Sequence, residues 1–224
     1  MKGKHVLITG HTGFKGSWLI AMLHQQGAKV SGIALDPVAG GIFEKAALHR
    51  LLAHDIRLDI RNSIELNNAF QLISPDIVIH LAAQPLVLSS YEKPSETYET
   101  NIIGTLNVLQ AVEATSKVEA TLIITTDKVY RQESGFERAF VETDALGAAD
   151  PYSTSKAMAD LLTQSWIKSH PSSRIAIARA GNVIGGGDVA QHRLLPDLVR
   201  AFSEGKSAVA VSYTHLRAHE TGRN

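Results

Sequence analysis

Short runs of Val, Ile and Leu alternate along the chain with longer stretches whose apolar residues recur at helical spacing. The short runs predict strands over 5–9, 29–34, 55–59, 76–80, 120–126 and 174–179. Their interiors are nearly continuous in branched aliphatics, the pattern of parallel strands covered on both faces. The longer stretches predict helices over 13–26, 43–53, 63–73, a long one ending near Ala114, and then 152–168 and 195–203. Asn62 followed by Glu65 has capping-box spacing, and Pro75 and Pro171 stand just beyond helix ends. Six alternations of this kind predict an α/β fold, a Rossmann-type doubly wound parallel sheet. Ligand is then expected at the carboxyl ends of the strands.

Composition narrows the choice of function. The 224 residues suit one large α/β domain, or one domain and the beginning of a second. With 22 Lys+Arg against 22 Asp+Glu there is no basic excess for a nucleic-acid partner. The absence of Cys excludes disulfides, thiolate metal sites and thiol nucleophiles. The ten His are scattered without an HExxH pattern, so no metal is expected and each reads as a satisfied or exposed side chain. Only Val6-Leu7-Ile8 forms an apolar run before the glycine loop at Gly10, too short for a signal peptide, and no run approaches the roughly 18 apolar residues of a membrane span. A cytoplasmic protein is the resulting expectation.

The chemistry begins at Gly10-His11-Thr12-Gly13-Phe14-Lys15-Gly16, between the first strand and the first helix. Gly10, Thr12, Gly13, Phe14 and Gly16 are the candidate cradle for a dinucleotide pyrophosphate, because glycines allow close backbone approach and a helix N-terminus attracts anions. A plain structural turn is the competing reading. Asp36, at the end of the second strand, reads equally as a carboxylate for ribose hydroxyls or as the turn residue of Asp36-Pro37. The ribose reading favours NAD over NADP. Tyr152 and Lys156 stand four apart on a predicted helix and so share one face. An ammonium beside a phenol favours the phenolate, which can take a proton from a sugar hydroxyl.

These residues resemble the extended short-chain dehydrogenase/reductase family, from about Lys4 to Val209. Asp59-Ile60 is similar to the family's adenine-contacting pair, and Leu81-Ala82-Ala83-Gln84 to its cofactor-lining loop. Asn101 matches the asparagine of the family's central helix, which implies a cofactor-binding role for it. Four stretches are more specific: 13–18, 81–87, Thr125-Thr126-Asp127-Lys128-Val129-Tyr130, and 179–188. They resemble the sugar-nucleotide 4,6-dehydratase branch that acts on CDP-glucose, in which Asp127-Lys128 replaces the Asp-Glu pair of the dTDP-glucose enzymes. Val189 and His192 depart from that branch, which usually has Trp and Asp there.

The resemblance implies NAD as cofactor and CDP-glucose or a similar sugar nucleotide as substrate. It also implies a homo-oligomer when full length, and neither a nucleic-acid nor a membrane partner. The implied reaction oxidises C4, eliminates water across C5 and C6, and returns the hydride to C6. Tyr152 takes the O4 proton, Lys156 supports it, and Thr126 hydrogen-bonds O4; Tyr152 and Lys156 also bind the cofactor, Lys156 as a donor to the nicotinamide ribose. Asp127, its pKa raised by burial, protonates the departing O6 and Lys128 is the base at C5, although a coupled pair can share one proton. Asn182 is a candidate ligand of the substrate diphosphate, followed by the loop glycines Gly185, Gly186 and Gly187. A 4-epimerase or a different 4,6-dehydratase is the alternative enzyme. An inert dinucleotide-binding fragment is the alternative from another class.

The expected organisation is a dinucleotide-binding domain over 1–180 and the start of an incomplete C-terminal substrate domain over 181–210. From Ala210 or Val211 to Asn224 the sequence resembles a translated frame of sequencing-adapter DNA. That stretch is expected to be foreign and loosely packed, leaving an apolar edge near 208–211. It also contains His215 and His219, whose spacing otherwise suits a metal.

Overall fold

The computed structural model describes residues 1–131, 138–190 and 193–207. The expected foreign tail, its apolar edge and His192 lie outside them. Two compact units divide the chain, residues 1–183 and residues from 184 onward. The first contains β1 (His5–Thr9), α1 (Phe14–Gln25), β2 (Lys29–Ala34), α2 (Ile42–Lys45), β3 (Leu52–Arg57), α3 (Ser63–Ile73) and β4 (Ile77–His80). There follow α4 (Val87–Glu92), α5 (Pro94–Tyr98), α6 (Gly104–Glu113), β5 (Ala120–Thr126), α7 (Pro151–Ser169) and β6 (Ile175–Ala180). The second unit contains α8 (Leu194–Ser203). Among the described residues, no helix is long and apolar enough to cross a membrane.

Among the described residues six parallel strands form one sheet, in the order β3-β2-β1-β4-β5-β6. The order reverses between β1 and β4, which opens a crevice at their carboxyl ends. Val6, Leu7 and Ile8 are fully buried and, by the two-residue period of a strand, feed two different cores. On one face Val6, Ile8, Val30 and Ile79 pack with Ile20, Leu23, Phe43 and Leu48. On the other, Leu7, Ile33 and Val78 pack with Leu66, Phe70, Val108 and Val112. Each such side chain contributes about 1.5–3 kcal/mol by leaving water, which rigidifies the frame under the crevice.

Two predicted helices are corrected. The segment 43–53 is α2 followed by a 3₁₀ turn over Leu48–Leu51, because Ala47 adopts the left-handed conformation (φ 49°) between them. That break lets Phe43 and Leu48 enter the same core while Leu52 pairs with Val30, so β3 starts earlier than predicted and ends at Arg57. The long helix ending near Ala114 is instead α4, α5, a π turn over Glu99–Ile103, and α6. Pro94, at the first turn of α5, cannot continue α4, and the π turn carries Asn101. The predicted start of α3 holds, since Asn62 Oδ1 accepts the Glu65 N–H at 3.2 Å.

Candidate active site

The glycine loop leaves β1 with Gly10 at φ +76°, and Gly10 N donates to Ile33 O at 2.8 Å. A Cβ on Gly10 would lie 2.7 Å from Ala82 N, and one on Gly16 would lie 2.6 Å from His11 Cα. Side chains are therefore excluded on both sides of the turn. Gly13 caps α1 without a side-chain hydrogen bond, so the first N–H groups of that helix have no side-chain cap. Thr12 points its hydroxyl at Leu35 O (3.0 Å), tying the loop to the end of β2, and Phe14 begins α1.

His11 was not singled out by the sequence, yet its ring is fully buried over β2, where Gly32 leaves room for it. A Gly32 Cβ would sit 2.5 Å from His11 Nδ1. Nε2 pairs with Asp55 at 2.7 Å, and Phe43 meets the ring edge-on. Burial lowers the imidazole pKa, and the Asp55 hydrogen bond opposes that shift. Arg57 pairs with Asp55 and lies 5.3 Å over the Phe43 ring. Its Nε is 3.5 Å from the exposed Asp36 carboxylate. A glycine inside a strand was the one available signal of this close approach.

Asp59 lies just past β3, with its carboxylate held by Arg61 Nε and Nη2 at 2.9 and 2.6 Å. The Arg61 guanidinium keeps its pKa below the usual carboxylate range. Ile60 has its side chain in the core, where it packs over Gly104, and its carbonyl accepts from Asn107 at 2.9 Å. With the Ile60 side chain buried in the core, only its backbone remains for a ligand.

Leu81, Ala82 and Ala83 leave β4 beside Gly10. Gln84 is then clasped by Asn101, whose Oδ1 accepts Gln84 N at 2.8 Å and whose Nδ2 donates to Gln84 O at 3.1 Å. Asn101 Nδ2 also donates to Ser155 Oγ at 2.8 Å. Asn101 is fully buried, so it positions the loop against α7 and has no surface to offer a ligand.

Helix α7 begins with Asp150 accepting Ser153 N at 2.9 Å and Pro151 in its first turn. Tyr152 N donates to Ser90 Oγ at 3.1 Å, docking this end on α4. Lys156 is 4% exposed and donates from Nζ to Ile124 O at 2.8 Å. Burial, then the nearby Lys15 cation, lowers its pKa to about 8. That strand carbonyl lies two residues before Thr126, whose hydroxyl donates to Asp127 Oδ1 at 3.1 Å and accepts Lys128 N at 3.3 Å. Asp127 is exposed, in contrast to the burial expected of it, whereas Lys128 is half-buried. Asn182 lies exposed just past β6, at the same end of the sheet.

Beneath the site runs an ion pair that the sequence did not reveal. The Asp160 carboxylate is fully buried and accepts from Arg179 Nε and Nη2, both at 2.9 Å. Thr125 Oγ1 and Gln164 Nε2 also donate to it, at 3.0 and 2.7 Å. Burial alone would raise the carboxyl pKa, but these donors bring it below its ordinary value. Asp160 follows Lys156 by one turn of α7, and Thr125 precedes Thr126, so the pair locks helix to strand.

The sequence matches the NAD dependent epimerase/dehydratase family over residues 6–219, which extends beyond Val209. It is 42% identical over 217 residues to a CDP-glucose 4,6-dehydratase of Salmonella typhimurium, covering 93% of this chain and 60% of that protein. The fold is similar to a dTDP-glucose 4,6-dehydratase of Bacillus anthracis in complex with NAD, with TM-score 0.78 and 24% identity over 92% of this chain and 63% of that one. A UDP-glucose 4-epimerase of Thermus thermophilus, also in complex with NAD, gives TM-score 0.70 and 28% identity over 83% of this chain and 58% of that one. The chain thus spans about 60% of the length of the Salmonella relative. With its parallel sheet, its glycine cradle and this match across nearly the whole sequence, the chain belongs to the NAD dependent epimerase/dehydratase family.

Proposed function

We propose that this chain carries the dinucleotide-binding and acid/base part of a sugar-nucleotide 4,6-dehydratase, a hydro-lyase that uses NAD and acts on CDP-glucose. The observation that carries the reading is the Thr126-Asp127-Lys128 run at the carboxyl end of β5, joined through Ile124 O to the buried Lys156. The 42% identity to a CDP-glucose 4,6-dehydratase supports both the reaction and the nucleotide.

The residues present fit a dinucleotide. Gly10 and Gly16 let the loop pack directly on the Ala82 and His11 backbone, and the start of α1 carries no side-chain cap, which suits a pyrophosphate at that helix N-terminus. Gly10, Thr12, Gly13, Phe14 and Gly16 hold that pyrophosphate, and Asp36 takes the adenosine ribose hydroxyls. Asp59 and the Ile60 backbone receive the adenine, while Leu81, Ala82 and Ala83 line the nicotinamide side. Bound NAD supplies a store for the hydride removed from C4 and restored at C6.

Tyr152 takes the O4 proton, and Lys156 favours the phenolate through its charge. Thr126 hydrogen-bonds O4 as it becomes a ketone. The ketone acidifies the C5 proton, which Lys128 removes while Asp127 protonates the departing O6. Asp127 is exposed in the chain alone, so substrate must supply the desolvation that an acid role requires. Asn182 takes the substrate diphosphate.

On this reading residues 1–180 form the cofactor domain and 181–210 begin the substrate region of a homo-oligomeric protein. It works in the cytoplasm, supplying sugar nucleotides for surface polysaccharide. The test is incubation with CDP-glucose and NAD⁺, followed by the alkaline absorbance of the 4-keto product. Product from dTDP-glucose and none from CDP-glucose overturns the substrate assignment. Retained NAD with no product from either overturns the dehydratase reading for this chain in favour of a dinucleotide-binding fragment.

A further inference from the structure

His80 ends β4 fully buried, and the reaction proposed above makes no use of it. Its two ring nitrogens nevertheless have partners on two different elements. Nδ1 lies 2.7 Å from Thr9 Oγ1 at the end of β1, and Nε2 lies 3.1 Å from Thr105 Oγ1 on α6.

The hydroxyls determine where the imidazole proton resides. Thr9 Oγ1 accepts from Ala82 N at 3.3 Å and shares the Leu81 N–H, at 3.2 Å, with the Thr9 carbonyl at 3.0 Å. Its own proton can point at His80 Nδ1, 2.7 Å away. Thr105 Oγ1 donates its proton to Asn101 O at 2.7 Å and can only accept from His80. The Thr105 end requires a protonated Nε2, and in the neutral ring that leaves a bare Nδ1 to accept the Thr9 hydroxyl.

Those hydroxyls lead to the two ends of one loop. Thr9 holds Leu81 and Ala82, beside the position a Gly10 Cβ would occupy, and so sets the width of the glycine cradle. Thr105 holds the π turn whose Asn101 clasps Gln84 on both its N–H and its C=O. The same Asn101 reaches Ser155, which donates to Tyr152 O at 2.7 Å.

We propose that His80 is a positioning residue: as the neutral Nε2–H tautomer it ties together the anchors of the 81–84 loop and so sets the nicotinamide side of the cofactor crevice. Burial, and after it the Lys156 charge, keeps its pKa near 3 and the ring neutral throughout the working range. The link to cofactor rests on the dinucleotide reading above, whereas the link to the loop does not.

The test uses the whole chain. In His80→Leu, amide hydrogen exchange at Leu81, Ala82 and Gln84 is expected to accelerate about ten-fold or more, from the loss of two buried hydrogen bonds. Exchange at Leu7 and Ile8 should not change. The NAD dissociation constant, read by fluorescence titration, should rise about ten-fold. His80→Asn places an acceptor where Nδ1 was and should restore exchange at Leu81 and Ala82 and recover most of the affinity. Thr105→Val should loosen Gln84 more than Leu81. If His80→Leu does not fold, Thr105→Val and ¹⁵N-histidine spectra of the unaltered chain carry the test. An Nδ1–H tautomer, an imidazole that titrates above pH 5, or unchanged loop exchange in the variants overturns the proposal. Altered loop exchange in a chain that never binds NAD supports the anchoring role of His80 and counts against the dinucleotide reading alone.

Discussion

Lys156 Nζ hydrogen-bonds the carbonyl of Ile124 on the neighbouring strand at 2.8 Å, with the ammonium almost entirely out of water. One backbone oxygen thereby connects the helix of Tyr152 to the strand of Thr126. The arrangement costs stability, because a buried cation is poorly solvated and its pKa has fallen from 10.5 to about 8. Folding thus disfavours the ammonium relative to the unfolded chain, although it stays protonated below about pH 8. Between the folded and unfolded pKa values the unfolded chain binds more protons, so stability rises with pH from about 8 to 10.5.

Lys156→Met is accordingly expected to fold more stably than the parent at pH 7, by about 1–2 kcal/mol once the lost hydrogen bond is deducted from the relief of desolvation. Urea denaturation should show the difference shrinking as pH approaches 10.5. A variant less stable at pH 7 than at pH 10, relative to the parent, would contradict the sign. Under the proposed reaction, the same variant should form no 4-keto product.

Arg179 and Asp160 behave in the opposite manner. Arg179→Met leaves a fully buried carboxylate without its cation and should cost about 3–5 kcal/mol in urea melts. Adding Asp160→Leu to that chain should recover at least half of the loss, since the uncompensated charge is removed.

If the proposed reaction holds, Lys128→Met reduces formation of the 4-keto product about 10²–10⁴-fold. NAD affinity should not change, because Lys128 is not part of the glycine cradle. A parallel loss of NAD binding would place Lys128 in the cofactor site instead.

The Asp36 carboxylate, exposed and 3.5 Å from Arg57 Nε, would repel a 2′-phosphate. Asp36→Asn should therefore narrow the preference for NAD over NADP about ten-fold or more, measured as the ratio of the two dissociation constants. An unchanged ratio would return Asp36 to the role of a turn residue.

Gly32→Ala drives a methyl group into the His11 ring and should destabilise the chain by about 1–3 kcal/mol. His11→Ala in the same chain should relieve most of that cost. Thermal melts of the two single variants and the double variant would expose the coupling.

Much of this architecture was legible because it rests on local pattern. The aliphatic runs mark five of the strands within a residue or so, and the four-residue spacing of Tyr152 and Lys156 survives as one helical face. The rest depended on distant partners. The segment 43–53 has helical composition, but pairing of Leu52 with Val30 overrides it through the left-handed turn at Ala47. Asn101 reads as a ligand of the cofactor, yet its amide is consumed by Gln84 and Ser155. His11 and Asp160 carried no signal of their own, since buried pairs between separate elements leave no spacing to detect.

The contact between the His11 ring and Gly32 also constrains descent. A ring at one position and any side chain at the other exclude each other, so the two cannot drift independently. A lineage that keeps the ring must keep the glycine, while one that first loses the ring is free to replace it. The order in which the two sites change, and not only their final identities, determines which sequences of this kind can be reached.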